Sequence, residues 1–251
     1  MHISQAQQSP PSKPKYVTII NDEIVSMDKV NEYAKQGYIK QMVKGVSESE
    51  RTRLSKKIGD EIGDKEFIIL IAIYTEEEKR EKENSNKLNT VTQASPTTGF
   101  KPVLKLDLNI AAKDFTVQML DGSKVKLSSL KGKVVLINFW ATWCAPCLME
   151  FYDIPAKILE PFKNKDFVFL PISKGESRQN VALKMERLKK DGIHFPVAMD
   201  PKGTISNLYL AETIPKNVLI DKNGIIRYVS VGNEEGNLDK LVLEIKQLLD
   251  K

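Results

Sequence analysis

The pentapeptide Trp143-Cys144-Ala145-Pro146-Cys147 constrains this chain more than any other stretch, because it holds both cysteines of the 251-residue sequence. An apolar run, 134–140, precedes it, and the residues after it can form a helix. This order predicts a buried strand that leads into a Cys-x-x-Cys at a helix N-terminus. The partial positive charge there lowers the pKa of a thiol, and the thiolate is the form that attacks disulfides. We therefore interpret the two cysteines as a redox-active pair.

Two other interpretations of the cysteine pair are weaker. A zinc site usually needs four ligands, and the chain adds only two histidines, one of which is His2 in a polar leader. A structural disulfide across so short a loop would constrain the unfolded chain little. We predict no metal site and no bound cofactor, and a catalytic role for both cysteines.

Composition argues against several classes of protein. The net charge of +5 comes without an arginine cluster or a basic run interleaved with aromatic residues, so nucleic-acid binding is not expected. No apolar run approaches the roughly 20 residues that a membrane-spanning helix needs. Residues 1–14 are polar, lack the apolar core of a secretory signal and predict a disordered leader. The chain is then either cytosolic, or its signal has been removed or lies upstream.

Residues 15–75 predict a small α/β domain of order β-α-β-α-β. Ser26 is a plausible N-cap for the first helix, and Ser47 to Glu50 have the spacing of a capping box that begins a second helix, running to about Ile58. The unbroken apolar run at 67–73 is typical of a strand buried on both faces. The other two strands are expected at 16–20 and 38–43.

The composition changes sharply after residue 75. Residues 76–83 are almost wholly charged, and 84–98 are polar. Such a composition favours solvated chain, with at most a fraying helix at its start. We predict a polar, charged linker over 76–105, followed by a second domain over 106–251.

This second domain alternates strand and helix patterns, which is typical of a layered α/β architecture. Two hairpins are expected, with turns at Asp121-Gly122 and at 221–224. The helix after Cys147 is expected to be interrupted at Pro155 and Pro161. The last helix has an apolar face, because leucine and isoleucine recur at spacings of three and four. Further strands are expected at 134–139 and 167–170, and a further helix at 179–190.

Four stretches of the second domain form a specific combination. They are 113–116 with 121–133, 138–147, 195–203 and 214–224. Together they resemble the thioredoxin-like disulfide oxidoreductases of the bacterial cell envelope, the group that includes TlpA and ResA. The resemblance covers about 113–249. It implies a thioredoxin-like three-layer α/β/α sandwich with an N-terminal hairpin, and a thiol-disulfide oxidoreductase that acts in the reducing direction.

The resemblance also implies roles for individual residues. Cys144 would attack the substrate disulfide, and Cys147 would resolve the mixed disulfide. Pro215 would be a cis-proline that faces the disulfide, and Ile214 would offer its backbone to an extended substrate segment. Glu150, one helical turn after Cys147, would exchange protons with the thiols.

Other positions near the motif qualify these roles. Asn138 stands where ordinary cytosolic thioredoxins keep a buried Asp, so the carboxylate would move from the strand to the helix. A carboxylate buried beside sulfur would have a raised pKa and could act as acid and base near neutral pH. Pro146 and Trp143 are predicted to contact substrate, although Trp143 could equally be core. Tyr152 replaces a proline common in the family, so a later kink at Pro155 is expected.

The surroundings of the enzyme also follow from the resemblance. The expected partners are disulfide-containing envelope proteins and a thiol electron donor, the expected location is the periplasm or cell envelope, and a monomer is expected.

Residues 43–45 and 67–73 loosely resemble small plug-like modules of bacterial envelope proteins. One alternative is therefore a redox domain delivered by an N-terminal docking module. A weaker alternative is a thiol peroxidase, since peroxiredoxins share the broader fold.

Overall fold

The computed structural model describes residues 15–59, 62, 67–89, 106–232 and 236–250. The chain divides into two compact units, Pro14–Leu104 and Lys105–Lys251, here called the N-terminal unit and the C-terminal unit. The predicted leader, 1–14, lies outside the described residues. Among the helices that are described, none combines the length and the apolar character needed to cross a bilayer.

The N-terminal unit is a four-stranded mixed sheet flanked by helices. Its strands are β1 (Tyr16–Ile20), β2 (Glu23–Val25), β3 (Ile39–Lys44) and β4 (Phe67–Ile73), in the order β2-β1-β4-β3. Its helices are α1 (Met27–Lys35), α2 (Glu48–Ile58) and α3 (Glu76–Asn89). Ser26 and Ser47 cap α1 and α2 by accepting backbone N–H groups through their hydroxyls, which confirms both predicted helix starts.

The central strand β4 is buried on both faces, as its sequence predicts. One face packs Ile68 against Leu54 of α2, and the other packs Ile69 and Ile71 against Val30 of α1. Each side of the sheet therefore has its own small hydrophobic core.

Strand β2 was not predicted. Asn21 and Asp22 both adopt positive φ, at 51° and 62°, and turn the chain so that Glu23–Val25 pairs antiparallel with β1. Asn and Asp tolerate this backbone region better than most residues. Three residues are too few to show a strand periodicity, so only the turn was visible in the sequence.

The charged segment after residue 75 forms helix α3 over Glu76–Asn89, whereas the sequence predicted at most a fraying helix at the start of a linker. Thr75 and Glu78 form a capping box, each side chain accepting the backbone N–H of the other residue. The helix contacts the sheet through polar groups, because Tyr38 donates to Glu76 over 2.5 Å and Lys40 pairs with Glu78 over 2.5 Å. Residues 90–105 of the predicted linker lie outside the described residues.

The C-terminal unit is a seven-stranded mixed sheet with helices packed on it, in the order β11-β10-β7-β8-β9-β5-β6. Its strands are β5 (Thr116–Met119), β6 (Lys124–Lys126), β7 (Val134–Trp140), β8 (Phe167–Lys174), β9 (Ala198–Asp200), β10 (Lys216–Ile220) and β11 (Ile226–Val231). Its helices are α4 (Ala145–Ile154), α5 (Glu160–Phe162), α6 (Arg178–Lys190), α7 (Thr204–Leu208) and α8 (Asn237–Leu249), with a 3₁₀ turn at Leu127–Leu130. Both predicted hairpins, β5–β6 and β10–β11, are present.

Strand β7 is the centre of this unit and delivers the cysteine motif. All seven of its residues are buried, and it pairs parallel with β8 and antiparallel with β10. A strand covered on both faces is an almost continuous apolar run, which is why the sequence located it. The chain leaves β7 at Trp140 and reaches Cys144 within four residues.

The regular α-helix after Cys147 ends at Ile154, before Pro155 as predicted, but the chain remains helical past Pro161. Helix α4 runs into a π-helical turn, Pro155–Leu159, and then into α5. Proline has no backbone N–H to donate in a regular helical turn. The wider π-helical turn accommodates the missing donor. In this turn the N–H of Glu160 donates to the carbonyl of Pro155, five residues back. The predicted change at Pro155 is therefore a widened turn within a continuous helix.

Candidate active site

The two cysteines form a disulfide at the N-terminus of α4. Their sulfurs are 2.02 Å apart and their Cα atoms 5.3 Å apart. Cys144 occupies the N-cap position, and its Sγ accepts the backbone N–H of Cys147 over 3.3 Å. The helix end thus directs a donor and a partial positive charge at the first sulfur, which is the arrangement that stabilises a thiolate after reduction. The predicted strand–motif–helix geometry is confirmed.

The residues around the disulfide include an exposed aromatic ring and a helix-starting proline. Trp143 is 43% exposed, so it is not part of the core, one of the two alternatives left open by the sequence. Trp140 is fully buried instead, with its ring 4.8 Å from that of Phe151. Pro146 lies in the first turn of α4, where a missing N–H costs no helical hydrogen bond.

Glu150 is a buried carboxylate on the same helix, one turn after Cys147. Only 2% of it is exposed. Asn138 donates to its Oε2 over 2.9 Å, and Asn217 donates to its Oε1 over 2.9 Å. Burial raises the pKa of Glu150 to about 7, although the two amide donors act to lower it. A carboxyl group with this pKa can both hold and release a proton near neutral pH.

Strand register brings the two amides together beneath α4. Asn138 of β7 lies opposite Asn217 of β10, and its Nδ2 also donates to Asn217 Oδ1 over 2.8 Å. The resemblance singled out Asn138 only as the position of a buried Asp in cytosolic thioredoxins, and Asn217 was missed. Only the antiparallel register of two strands that are 79 positions apart in the chain places it against Glu150.

The Ile214–Pro215 peptide bond is cis, as the resemblance implied. It directly precedes β10, whose first residue, Lys216, pairs with Phe139 near the end of β7 that leads to the cysteines. Pro215 is buried, and Ile214 packs partly against the main hydrophobic core. The cis-proline and the disulfide therefore lie at the same end of the adjacent strands β7 and β10.

A second buried carboxylate, Glu176, holds the loop that precedes the motif. It accepts the backbone N–H of Thr142 over 2.7 Å, the Thr142 hydroxyl through a short hydrogen bond, and the Ser173 hydroxyl over 3.1 Å. These contacts fix the backbone beside Trp143. No sequence pattern pointed to Glu176, because it lies in a loop 34 residues from Thr142.

Among the described residues, no cluster of three or more His, Cys, Asp or Glu side chains is arranged to hold a metal ion. The histidine of the second domain, His194, is exposed after α6.

Comparison with known proteins identifies the family. The AhpC/TSA family model matches residues 108–229, within the C-terminal unit. The thiol-disulfide oxidoreductase ResA of Geobacillus kaustophilus is 33% identical over 136 residues, covering 54% of this chain and 76% of that protein. The chain belongs to the ResA family of thiol-disulfide oxidoreductases. ResA of Bacillus subtilis is 34% identical over 121 residues, covering 48% of this chain and 65% of that protein.

Solved structures agree with the ResA assignment. A candidate protein disulfide isomerase of Bacteroides thetaiotaomicron superposes with a TM-score of 0.54 at 32% identity, covering 58% of this chain and 92% of that one. A candidate thiol:disulfide interchange protein DsbE of Chlorobium tepidum gives 0.52 at 31% identity, covering 58% and 99%. The predicted thioredoxin-like fold and the predicted thiol-disulfide oxidoreductase activity are confirmed.

Proposed function

We propose that this ResA-family protein reduces disulfide bonds in proteins of the bacterial cell envelope, in the periplasm or an equivalent compartment. Cys144 is the nucleophile, Cys147 resolves the mixed disulfide, and Glu150 handles the proton. One observation carries the proposal: a disulfide at a helix N-terminus, followed one turn later by a buried carboxylate with a pKa of about 7. This arrangement pairs a stabilised nucleophile with an acid–base group suited to neutral pH.

The reduction proceeds as two exchanges. The Cys144 thiolate attacks one sulfur of the substrate disulfide, breaking that bond and forming a mixed disulfide, and the released substrate thiolate takes up a proton. Glu150, as the carboxylate, then accepts the Cys147 proton. The Cys147 thiolate attacks Cys144 Sγ, and the second substrate sulfur leaves as a thiolate that is protonated. The substrate gains two electrons and two protons, and the enzyme ends with its own disulfide. A thiol donor restores the dithiol by the same exchange in reverse.

Substrate contacts are assigned to the end of strands β7 and β10 that lies beside the disulfide. We assign the exposed Trp143 and the neighbouring Pro146 to one side of a substrate groove, and the backbone of Ile214 with Pro215 to the other side. An extended substrate segment can pair with that backbone as an added strand. The exposure of Trp143 and the position of the cis bond before β10 support this assignment.

The N-terminal unit is assigned to docking. It has its own sheet and its own cores, and the family match lies wholly in the C-terminal unit. Its partner would be an envelope protein. Removing residues 1–104 should leave the reduction of a model disulfide unchanged while weakening function in the cell. A truncated protein with normal function in the cell would show that docking is dispensable.

A trapping experiment tests the activity. Pre-reduced wild-type protein mixed with oxidised insulin should release insulin thiols, and Cys144→Ser should lose this activity by at least about a thousandfold, because the nucleophile is gone. Cys147→Ser should accumulate a mixed disulfide that is visible on a non-reducing gel. Full activity of Cys144→Ser would refute the proposal.

Two further measurements separate the direction of catalysis and the peroxidase alternative. In a reductase, the reduction potential of the Cys144–Cys147 pair should lie well below that of glutathione. A potential near about −120 mV would instead indicate an oxidase. The AhpC/TSA match makes hydrogen peroxide worth testing as a substrate. Rapid peroxide consumption that depends on Cys144 would favour the peroxidase.

A further inference from the structure

We infer that Lys216 and Lys174 are positioning residues that hold the substrate-binding segment before the cis-proline in its active shape. The inference rests on the proposed function, because it assigns the residues that fix the substrate side of the same groove. The two lysines donate to consecutive carbonyl groups, those of Leu210 and Ala211, at the start of that segment. Neither lysine was selected from the sequence.

Lys216 is a buried cation. Only 1% of it is exposed, although it is the first residue of β10 and follows Pro215 directly. Its Nζ donates to the carbonyl of Leu210 over 2.9 Å. Lysine is almost never fully buried unless its charge is compensated, since removing an ammonium group from water is costly. At this position its side chain supplies a charged hydrogen-bond donor, which an apolar residue could not supply.

Lys174 supports the neighbouring carbonyl from another strand. It is the last residue of β8, is half-buried, and donates to the carbonyl of Ala211 over 2.7 Å. Two ammonium groups from β8 and β10 thus hold adjacent carbonyls. Hydrogen bonds from charged donors are stronger than those between neutral groups.

The turn that these lysines hold has an unfavourable backbone conformation. Leu210 has a φ of 50°, a left-handed value that is uncommon for a non-glycine residue. The turn closes the C-terminal end of α7, where Ala211 donates its N–H to the carbonyl of Ser206 over 2.8 Å. Carbonyls at a helix C-terminus attract cations. The segment 212–214 leaves this turn and runs directly to Pro215, so the lysines fix one end of it and the buried proline fixes the other.

The register of β10 separates this role from proton transfer. Successive side chains of a strand point to opposite faces, so Asn217 faces Glu150 and Lys216 faces away from it. Loss of the Lys216 charge should therefore loosen the substrate-binding segment, 212–214, without disturbing the Glu150 site. Binding of a protein substrate, which needs the segment, should suffer, whereas reaction with a small disulfide should not.

The test compares two substrates in single-turnover reactions of the pre-reduced, full-length protein. Lys216→Met and Lys174→Met should each raise the half-saturating concentration of oxidised insulin about tenfold or more, with the maximal rate unchanged. Their rates with oxidised glutathione should match the wild type. Lys174→Arg should restore insulin binding, because it keeps a charged donor. Lys202→Met, a change of an exposed lysine, is the matched control and should change neither substrate.

Several results would overturn the inference. An unchanged half-saturating insulin concentration in Lys174→Met refutes it, even if Lys216→Met fails to fold. Equal losses with insulin and glutathione would show a general structural role instead. A wild-type protein that reduces neither substrate would refute the proposed function itself, which is distinguishable because no lysine variant is needed to see it.

Discussion

Asp22 in the N-terminal unit and Glu150 in the C-terminal unit have pKa values that are shifted in opposite directions. In the N-terminal unit, Asp22 is partly exposed and accepts hydrogen bonds from Arg53 over 2.9 Å and Lys57 over 2.6 Å. These hydrogen bonds lower its pKa to about 2. In the C-terminal unit, Glu150 is buried, its hydrogen-bond donors are two neutral amides, and its pKa is raised to about 7.

The difference shows why Glu150, and not Asp22, suits the proton-transfer role proposed above. A carboxylate held by cations remains ionised throughout the physiological range and cannot exchange a proton usefully. A buried carboxylate held by amides keeps two orienting contacts, yet its two protonation states have similar free energies near pH 7. The four predictions below test this contrast, from the largest expected effect to the smallest.

Replacing Glu150 by Gln should have the largest effect. The rate of insulin reduction at pH 7 should fall about a hundredfold, because general acid–base catalysis contributes on that scale. The wild-type rate should rise through a pKa near 7 as Glu150 becomes a base, and this limb should be absent from the variant. Glu160→Gln, at an exposed residue of α5, is the control. A normal rate and a normal pH profile in Glu150→Gln would remove Glu150 from the mechanism.

The same variant should be more stable than the wild type at high pH. The pKa of Glu150 is about 7 when folded against an ordinary value of 4.5, so between those values the folded state binds more protons. The free energy of unfolding therefore falls as the pH rises through this window. At pH 8 the variant should gain about 1–3 kcal/mol for the C-terminal unit, after allowance for one lost hydrogen bond.

Denaturant unfolding of the oxidised protein at pH 4 and pH 8 measures this gain. It should be present at pH 8 and largely absent at pH 4, which lies below both the folded and the ordinary pKa of the carboxyl group. A variant that is less stable than the wild type at pH 8 would contradict the contrast between the two carboxylates.

Asn217→Leu should shift the pH profile without abolishing activity. It removes one of the two amide donors to the carboxylate, so burial dominates more strongly and the pKa of Glu150 rises further. The midpoint of the pH–rate profile should move up by about one pH unit. A midpoint that stays in place would show that Asn217 does not set the protonation of Glu150.

The smallest effect is expected for Asp22→Asn. The folded pKa of Asp22 lies below its ordinary value, so its contribution to stability is present above about pH 4 and is lost as the pH falls towards 2. At pH 7 the variant should show a small decrease in melting temperature that disappears in high salt, because exposed ion pairs are screened. Insulin reduction should be unchanged. A large, salt-independent decrease would mean that the pair is not a surface interaction.

The sequence predicted those parts of the site that depend on local pattern. The apolar run of β7, the cysteine motif and the helix behind it are contiguous, so their geometry follows from chain order. The resemblance added the cis bond at Pro215 and the importance of Glu150, which no periodicity could show.

The missed parts depend on contacts between distant segments. Asn217 reaches Glu150 only through strand register, and Glu176 reaches Thr142 only through the packing of a loop. Helix α3 was assigned to the linker because its residues are charged, yet Glu76 and Glu78 find partners on Tyr38 and Lys40. A charged pattern predicts exposure, but it does not show whether the exposed surface also has neighbours.

The placement of three consecutive residues at the start of β10 limits how this protein can change. Pro215, Lys216 and Asn217 have different assigned tasks, and alternation along the strand fixes which face each one serves. One inserted residue here would exchange those faces at once. The turn at the opposite end of the same strand is closed by its own contacts, because Asp221 accepts the backbone N–H groups of Asn223 and Ile225, each over 2.9 Å. A change of length at either end of β10 would therefore break defined contacts, but only an insertion at the proline end would also turn Asn217 away from Glu150.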